Sequence, residues 1–393
     1  MKLTIAHITN NYTPFKGGVV QAINATVAQQ KNDGHNACIV TLDFIKGLYD
    51  DPDHVYRLPT FFKCTYSQNT IAIPWRLNTH MQAILKPLEC SIFHIHHPFL
   101  LGPAALKIAK KYGIPTLFTF HTLYEEYVHY IKLNPAITKP LTRLIVRSFC
   151  NQIDSIVVPN KTIKEYVQNL GVERPILILP SPIGNDIVPT TVPAIVQQVH
   201  TPVRLLVVSR LVPEKNIESI IECMAMLPVA ATLIIAGYGY WQENLKQYIT
   251  KLYGANKAPI TFCLNPSRTQ LAQLYAWADL FLFSSKTDTQ GLVLAEAMAH
   301  ATPVIALYGP GQQDFVMNGQ NGFLVDSSKS MAITIGTISA QPKLFRTLQH
   351  GALVTSNQYR TDTIVSKLTQ HYYETIAHYK PRNWYKTFLK RVI

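Results

Sequence analysis

Short apolar runs that open into polar loops constrain this chain more than any other feature. Leu205–Val208 and Leu280–Phe283 are of strand length, far short of the ~18 residues that a bilayer-spanning helix needs. Unbroken apolar runs of this size belong to strands covered on both faces. When each is followed by a loop and a helical pattern, the result is a parallel sheet layered with helices. The run ending at Phe283 shows the unit in full: Ser284–Gln290 is polar, Gly291 opens a helix, and the helix stops before another strand at Pro303. Asp288 lies in the loop and Glu296 on the helix, at the carboxyl edge of a parallel sheet, where open α/β sheets bind ligands. A helix N-terminus there attracts phosphate. An ionised carboxylate can only accept hydrogen bonds and so suits a ribose diol. The stretch reads as a nucleotide site.

The alternation runs twice along the chain. Residues 3–9 form a strand, Gly17-Gly18 leads into a helix ending near Asp33 with Gly34 as its stop, and a second strand covers 37–42. Strands at 92–98, 115–120, 153–158 and 176–179 complete a first domain, 1–180. Residues 181–202 are rich in proline and read as a linker. The pattern resumes at Val203 and gives a second domain, 203–360; helices and a basic tail, 361–393, follow, with the option of returning to the first domain. With 393 residues, 47% of them hydrophobic, two cores are the default. The fold class expected is α/β, two Rossmann-like αβα domains facing each other across a cleft.

A strand begins almost at Met1, so no signal peptide is expected. The six cysteines are widely spaced, lack a C-x-x-C pair and read as reduced thiols of a cytoplasmic protein. The net charge of +13 admits nucleic acid or an anionic membrane as partner, or simply a basic soluble enzyme. Nucleic acid is set aside because no recognition motif or stacking platform accompanies the basic residues. Two segments fit a membrane surface. In 137–150, Lys139, Arg143 and Arg147 share a helical face beside Leu141, Leu144, Ile145 and Phe149. In 379–393, Lys380, Arg382, Lys386, Lys390 and Arg391 stand with Trp384 and Phe388 and no acid. A solvated basic face and a docked terminal helix are the competing readings.

Asp51-Pro52-Asp53 has the D-x-D form of a metal site but lies in an acidic, turn-like patch without the hydrophobic strand expected after it, and reads as a solvated loop. His94 and His96 alternate on one strand and lack visible third and fourth ligands for zinc. No metal is expected. Gly17-Gly18 is not G-x-G-x-x-G, so no nicotinamide site is indicated. His121, just past a strand end, is either a cleft residue or a satisfied structural histidine.

Taken together these residues resemble glycosyltransferase family four. Four motifs in order carry the likeness over most of residues 1–330: Gly17-Gly18, the pair Arg210 and Lys215, the run Ser285…Asp288-x7-Glu296-Ala-Met-Ala, and Asn318-Gly-x-Asn321-Gly-Phe-Leu-Val325. The resemblance implies the GT-B fold, retention of anomeric configuration and a nucleotide-sugar donor, with no cofactor. It also implies roles. Arg210 and Lys215 would neutralise the donor diphosphate, helped by the Gly17-Gly18 backbone. Glu296 would take the ribose hydroxyls, and Asp288 hydroxyls of the transferred sugar. Backbone at Gln290, Gly291, Leu292 and Val293 would contact sugar and phosphate. His121 would sit at the reacting centre, near the C6 hydroxyl. The chemistry agrees, since a departing nucleoside diphosphate needs cationic stabilisation, which fixed donors and a helix N-terminus supply. With no clear covalent nucleophile, front-face displacement is favoured, the leaving phosphate helping to remove the acceptor proton. Three positions depart from the pattern. Asp288 stands where the family usually has Glu, Ser181-Pro182-Ile183-Gly184 replaces the usual hinge, and Ala301 stands where glycine usually ends the helix.

A narrower likeness lies in Phe120-His121-Thr122-x-Tyr124-Glu125-Glu126-Tyr127-x-His129-Tyr130 with Thr287-Asp288-Thr289-Gln290-Gly291-Leu292. This is similar to the bacterial diacylglycerol glucosyltransferases, peripheral membrane enzymes that use UDP-glucose. It implies glucose transfer to membrane diacylglycerol by a cytoplasmic protein attached to the inner face of the plasma membrane. The alternatives are a family-four transferase for phosphatidylinositol or a soluble sugar, a UDP-sugar 2-epimerase of the same fold, and a non-catalytic nucleotide-sugar binder.

Overall fold

The computed structural model describes residues 2–15, 17–44, 49, 51–66, 69–126, 134–254 and 258–380. They form two compact units: the described residues of 1–158, 164–179 and 365–393 in one, and 159–163 with 180–364 in the other. Most of the 379–393 tail, and Tyr127, His129 and Tyr130, lie outside the described residues.

The first unit begins with β1 (Thr4–Ile8), α1 (Gly18–Asn32), β2 (Asn36–Leu42), β3 (Val55–Leu58), β4 (Thr60–Tyr66), β5 (Asn69–Pro74) and α2 (Leu77–Leu85). It continues with β6 (Ile92–Ile95), α3 (Leu101–Tyr112), β7 (Thr116–Thr119), α4 (Pro135–Cys150), β8 (Ser155–Val158), α5 (Lys161–Asn169) and β9 (Ile176–Ile178). Its main sheet has the order β3-β2-β1-β6-β7-β8-β9, parallel throughout. β4 and β5 form a separate antiparallel hairpin. Helix α4 starts where its sequence dictates: the Asn134 side chain accepts from the Ala136 N–H at 2.9 Å, and Pro135 occupies the first turn, where no N–H is needed.

The D-x-D patch is a turn in which Pro52 and Asp53 are exposed, and it is followed by the short, half-exposed strand β3. Val55 pairs with Ile39 directly after the patch, and Asp51 is ion-paired with Arg57, whose Nη2 lies 2.9 Å from Oδ1. The carboxylate is there to hold an arginine on the neighbouring strand.

The second unit contains β10 (Val203–Arg210), α6 (Ile217–Ala225), β11 (Ala231–Tyr238), α7 (Gln242–Tyr253), β12 (Ile260–Leu264), α8 (Arg268–Trp277) and β13 (Leu280–Phe283). Next come α9 (Leu292–Ala299), β14 (Val304–Leu307), β15 (Gly322–Val325), α10 (Ser328–Ala340), α11 (Pro342–Asn357) and α12 (Thr361–His378). From Val365 onward α12 packs with the first unit. The sheet order is β12-β11-β10-β13-β14-β15, again all parallel. The apolar runs behave as period-two strands covered on both sides. Leu205, Val207, Leu280, Leu282, Ile305 and Leu307 enter one core cluster. Leu206, Val208, Phe281, Phe283, Val304 and Ala306 enter another.

Candidate active site

In the second unit the loops at the carboxyl ends of β10 and β13 bring four predicted residues into defined surroundings. Arg210 ends β10, and Lys215 ends a single helical turn, Pro213–Lys215. The Ser284 hydroxyl donates to the Lys215 carbonyl at 2.8 Å, tying the two loops together. The Lys215 ammonium then meets both oxygens of Asp288, at 2.6 and 2.7 Å. Burial works against the Asp288 charge, but the Lys215 ammonium, with Ser285 and Arg210, holds its carboxyl below the usual aspartate range. Arg210 reaches Glu214 at 3.4 Å. The short arm of Asp288 is thus taken up by a cation of the same site.

Gly291 caps α9 in the left-handed region, φ 69°, a conformation that favours glycine. Gly311 packs so close to the same loop that a Cβ would stand 2.6 Å from the Asp288 carbonyl oxygen. The first-turn N–H groups at Leu292 and Val293 have, by helix geometry, no carbonyl partner within α9. The Gln290 side chain turns to the hinge instead: its Oε1 accepts from the Ser181 N–H at 2.8 Å and its Nε2 donates to the Ser181 carbonyl at 3.0 Å. Ala301 takes φ 60°, the left-handed conformation that a glycine would hold without strain.

Glu296 is 5% exposed, with both oxygens engaged. Oε1 accepts from Arg268 Nη1 at 3.0 Å and Oε2 from the hydroxyl of the fully buried Tyr275 at 2.8 Å. Each carboxylate oxygen accepts two bonds, so the group keeps capacity for a diol. Arg268 is further held by Asp186, at 2.8 and 3.1 Å.

In the first unit Gly17 caps α1 with extended backbone, and a Cβ there would meet nothing within 4 Å. Neither its own conformation nor described packing demands glycine. His121 follows β7 and is not isolated. Its Nε2 lies 2.9 Å from Nδ1 of His96, and Nε2 of His96 lies 3.0 Å from Nδ1 of His7. Nε2 of His7 meets Oε1 of Gln30 at 2.8 Å. His94 bridges Tyr372 and Thr119, both at 2.6 Å. Burial, ahead of any neighbouring charge, pushes His7 down to about 4 and His121 to about 3, and His94 and His96 also fall well below the ordinary histidine range.

His7 is the third histidine beside His94 on β6 and His96 just past its end. It faces His94 across the β1–β6 register, 87 residues away in sequence, which no spacing rule would find. Ligand atoms of His7, His94 and His96 lie within 4.8 Å of one another, the spacing of a metal site. All six ring nitrogens of these residues are already hydrogen-bonded within the cluster and its neighbours, and the donor set closes on itself as a network.

Two cations of the basic face of α4 are ion-paired. Lys139 binds Glu126 at 3.0 Å, and Arg143 forms a bidentate pair with Glu125. Burial opposes the Glu125 charge, but Arg143 and Tyr166 hold its carboxyl below the usual range. Outward, α4 presents apolar residues together with the exposed Arg143 and Arg147. Ile137, Leu141, Leu144 and Ile145 are exposed, whereas Phe149 is buried.

Comparison with known proteins follows these features. Residues 16–184 match the family "Glycosyltransferase Family 4", and residues 191–344 match "Glycosyl transferases group 1". An alpha-monoglucosyldiacylglycerol synthase of Streptococcus pneumoniae is 27% identical over 84% of this chain and 77% of its own length. A synthase of the same name from Acholeplasma laidlawii is 24% identical over 95% of this chain and 98% of its own. Among solved structures, sucrose-phosphate synthase from Thermosynechococcus elongatus superposes with a TM-score of 0.77 at 19% identity, covering 96% of this chain and all (100%) of that one. Anabaena HepE in complex with UDP gives 0.73 at 17%, over 94% and 99%. At such identities the structures speak for the fold alone, and that fold is GT-B. The chain belongs to the glycosyltransferases, with a family-four domain followed by a group 1 domain in the GT-B fold.

Proposed function

We propose that this enzyme transfers glucose from UDP-glucose to diacylglycerol at an anionic membrane surface, with retention of configuration. The observation that carries the acceptor is the outward apolar face of α4, where Ile137, Leu141 and Leu144 are 68%, 52% and 60% exposed. A helix on a water-facing surface normally turns such residues inward. Beside that face a cavity of about 730 Å³ between α3 and α4 is lined by Leu106, Leu144 and Phe149, with Lys107, Lys110 and Lys111 also on its wall. An apolar floor with a cationic wall suits acyl chains beneath anionic headgroups. Phe61, Phe62 and Trp75 at the β4–β5 hairpin add exposed aromatic surface. The relatives named for monoglucosyldiacylglycerol synthesis support the same acceptor. No described helix is long and apolar enough to cross a membrane, so attachment would be peripheral.

In this reading Arg210 and Lys215 meet the donor diphosphate, and the N-terminal turn of α9 offers N–H groups from Gly291 to Val293. Glu296 accepts from the ribose diol through its remaining lone pairs. Asp288 serves the sugar hydroxyls only if Lys215 shares it, so diphosphate and sugar hydroxyls both bear on that one ion pair. Gly17-Gly18 lets backbone approach the phosphates, and His121 serves the sugar near the reacting carbon. As the glycosidic bond to the diphosphate breaks, the acceptor oxygen bonds to the same face, and its proton passes to a departing phosphate oxygen. Both cations are protein side chains, so the charge of the leaving group is met without a metal.

The test is a transfer screen. UDP-glucose, UDP-galactose, UDP-N-acetylglucosamine and GDP-mannose are each offered with anionic vesicles containing diacylglycerol, with phosphatidylinositol vesicles, and with free sugars. An α-linked glucosyl diacylglycerol from UDP-glucose is expected. Transfer to phosphatidylinositol or a soluble sugar in its place overturns the acceptor assignment, and a β-linked product overturns retention.

A further inference from the structure

The histidine row in the first unit has a direction. His7, His94 and His96 are at most 3% exposed, and Gln30 and Tyr372 are fully buried. Among the described residues, these three rings bond only to Gln30, Tyr372, Thr119, one another and His121. A neutral imidazole carries one proton, so it donates at one nitrogen and accepts at the other. In a row of neutral rings the direction of one bond therefore decides the next.

The end of the row is Gln30 on α1. Its Nε2 donates to the Tyr372 oxygen at 3.3 Å, and its Oε1 faces Nε2 of His7. An amide oxygen only accepts, so His7 carries its proton on Nε2 and its Nδ1 accepts. Nε2 of His96 must then donate to His7, and Nδ1 of His96 accepts. Nε2 of His121 must donate to His96, which leaves Nδ1 of His121 as an acceptor for whatever group it meets. Tyr372 closes the argument on the other side. Accepting from Gln30, it donates its own proton to Nδ1 of His94, and Nε2 of His94 donates to Thr119. Turning the Gln30 amide over would reverse every bond in the row.

We propose that Gln30 and Tyr372 are positioning residues that, through His7 and His96, fix His121 as the Nε2–H tautomer, so that it presents Nδ1 as a hydrogen-bond acceptor. Assigning that acceptor to a hydroxyl of the transferred sugar rests on the reading of His121 given above. The groups around the row are Gln30 from α1, Thr9 and Thr119 at strand ends, His97 and Tyr124 from neighbouring loops, and His371 and Tyr372 from α12. The low affinity of the buried rings for a second proton agrees with a neutral row.

The test is a nitrogen–proton correlation spectrum of the full chain with nitrogen-15-labelled histidine. It reads which ring nitrogen carries the proton, and His121→Ala assigns the His121 signals by their loss. At neutral pH the wild type is expected to show His121 protonated on Nε2; protonation on Nδ1 overturns the proposal without any further variant. Gln30→Met removes the acceptor at the head of the row, and Tyr372→Phe removes the hydroxyl that orients Gln30. Neither side chain touches His121, yet both variants should give a mixed His121 tautomer. Both should lower kcat about tenfold or more, with the donor KM changed less than about threefold. A folded Gln30→Met protein in which His121 remains purely Nε2–H overturns the relay. Turnover unchanged in His121→Ala would instead remove the catalytic reading of His121 and leave the tautomer result to be judged by itself.

Discussion

Glu296 offers a test in which folding and binding come apart. Replacing it with alanine leaves the Tyr275 hydroxyl, fully buried, without its acceptor at 2.8 Å, a loss of about 1–3 kcal/mol. The Arg268 bond at 3.0 Å adds less, because that side chain is 24% exposed and keeps Asp186, so about 0.5–1 kcal/mol is appropriate. The sum, roughly 1.5–4 kcal/mol, should lower the melting midpoint of a unit this size by about 3–15 °C. Glu296→Gln behaves differently. Its amide oxygen can face Arg268 while its NH2 donates to the Tyr275 oxygen, the phenol rotating its own proton away, so stability should fall by only ~1 kcal/mol. A ribose diol, however, finds one acceptor oxygen where it had two, both charged. About 2 kcal/mol of nucleotide binding should go, roughly 30-fold in the Kd for UDP. Calorimetric titration with UDP and thermal melting of the three proteins decide the matter. A Gln variant that binds UDP like wild type refutes the ribose assignment, and an Ala variant that melts like wild type refutes the account of the Tyr275–Glu296–Arg268 network.

Three further outcomes are expected. Leu141→Glu with Leu144→Glu, at sites 52% and 60% exposed, should reduce binding to anionic vesicles at least about tenfold while changing stability by less than ~1 kcal/mol; vesicle sedimentation with intact binding sinks the membrane-facing role of α4. The buried histidines predict acid lability. His7 titrates near 6.5 when unfolded and about 4 when folded, so the unfolded chain takes up protons first as pH falls. Stability is full above about pH 6.5 and drops by roughly 1.4 kcal/mol per pH unit per such histidine down to the folded value, and a melting midpoint unchanged from pH 7 to pH 5 excludes neutral burial of the row. Ala301→Gly relieves a left-handed alanine at φ 60° and should raise stability by about 0.5–1 kcal/mol in denaturant titrations, whereas a loss would show that its buried methyl outweighs the strain.

How much of this was legible in the sequence depends on the distance over which each feature is set. The strands of the second unit could be read because each apolar run carries its own burial on both faces. The turn at Gly291 could be read because glycine marks a left-handed cap. Residues 43–91 were nearly opaque. β3 is half-exposed along most of its length, and Phe61, Phe62 and Ile73 of the β4–β5 hairpin are exposed, so these strands lack the buried apolar runs that gave the others away. Partnerships across the sheet were also closed to inspection. His7 meets His94 only because β1 and β6 are neighbours, and Tyr275 and Arg268 reach Glu296 only because α8 packs beside α9. Gln30 looks like any polar residue late in an amphipathic helix, and nothing local shows that it is fully buried.

The pairing of Lys215 with Asp288 changes what the donor site must do. Read one by one, the residues suggest a cationic pocket waiting for a diphosphate. In the folded second unit the three site cations named above each have an anion: Lys215 has Asp288, Arg210 has Glu214, and Arg268 has Asp186 and Glu296. Such a site does not draw phosphate by excess charge. Under the proposed donor assignment it would bind by exchange, the diphosphate taking over bonds that carboxylates now fill, so little would be gained by Coulomb attraction until Asp288 finds hydroxyl donors to replace Lys215. The transferred sugar supplies those donors and a free diphosphate does not. On that assignment the one-methylene difference between aspartate and the family's usual glutamate would act on discrimination, the short arm keeping the carboxylate on Lys215 unless an intact sugar nucleotide offers compensation. Asp288→Asn, which weakens the hold on Lys215, would then bind UDP more tightly than the wild type while losing its preference for UDP-glucose over UDP.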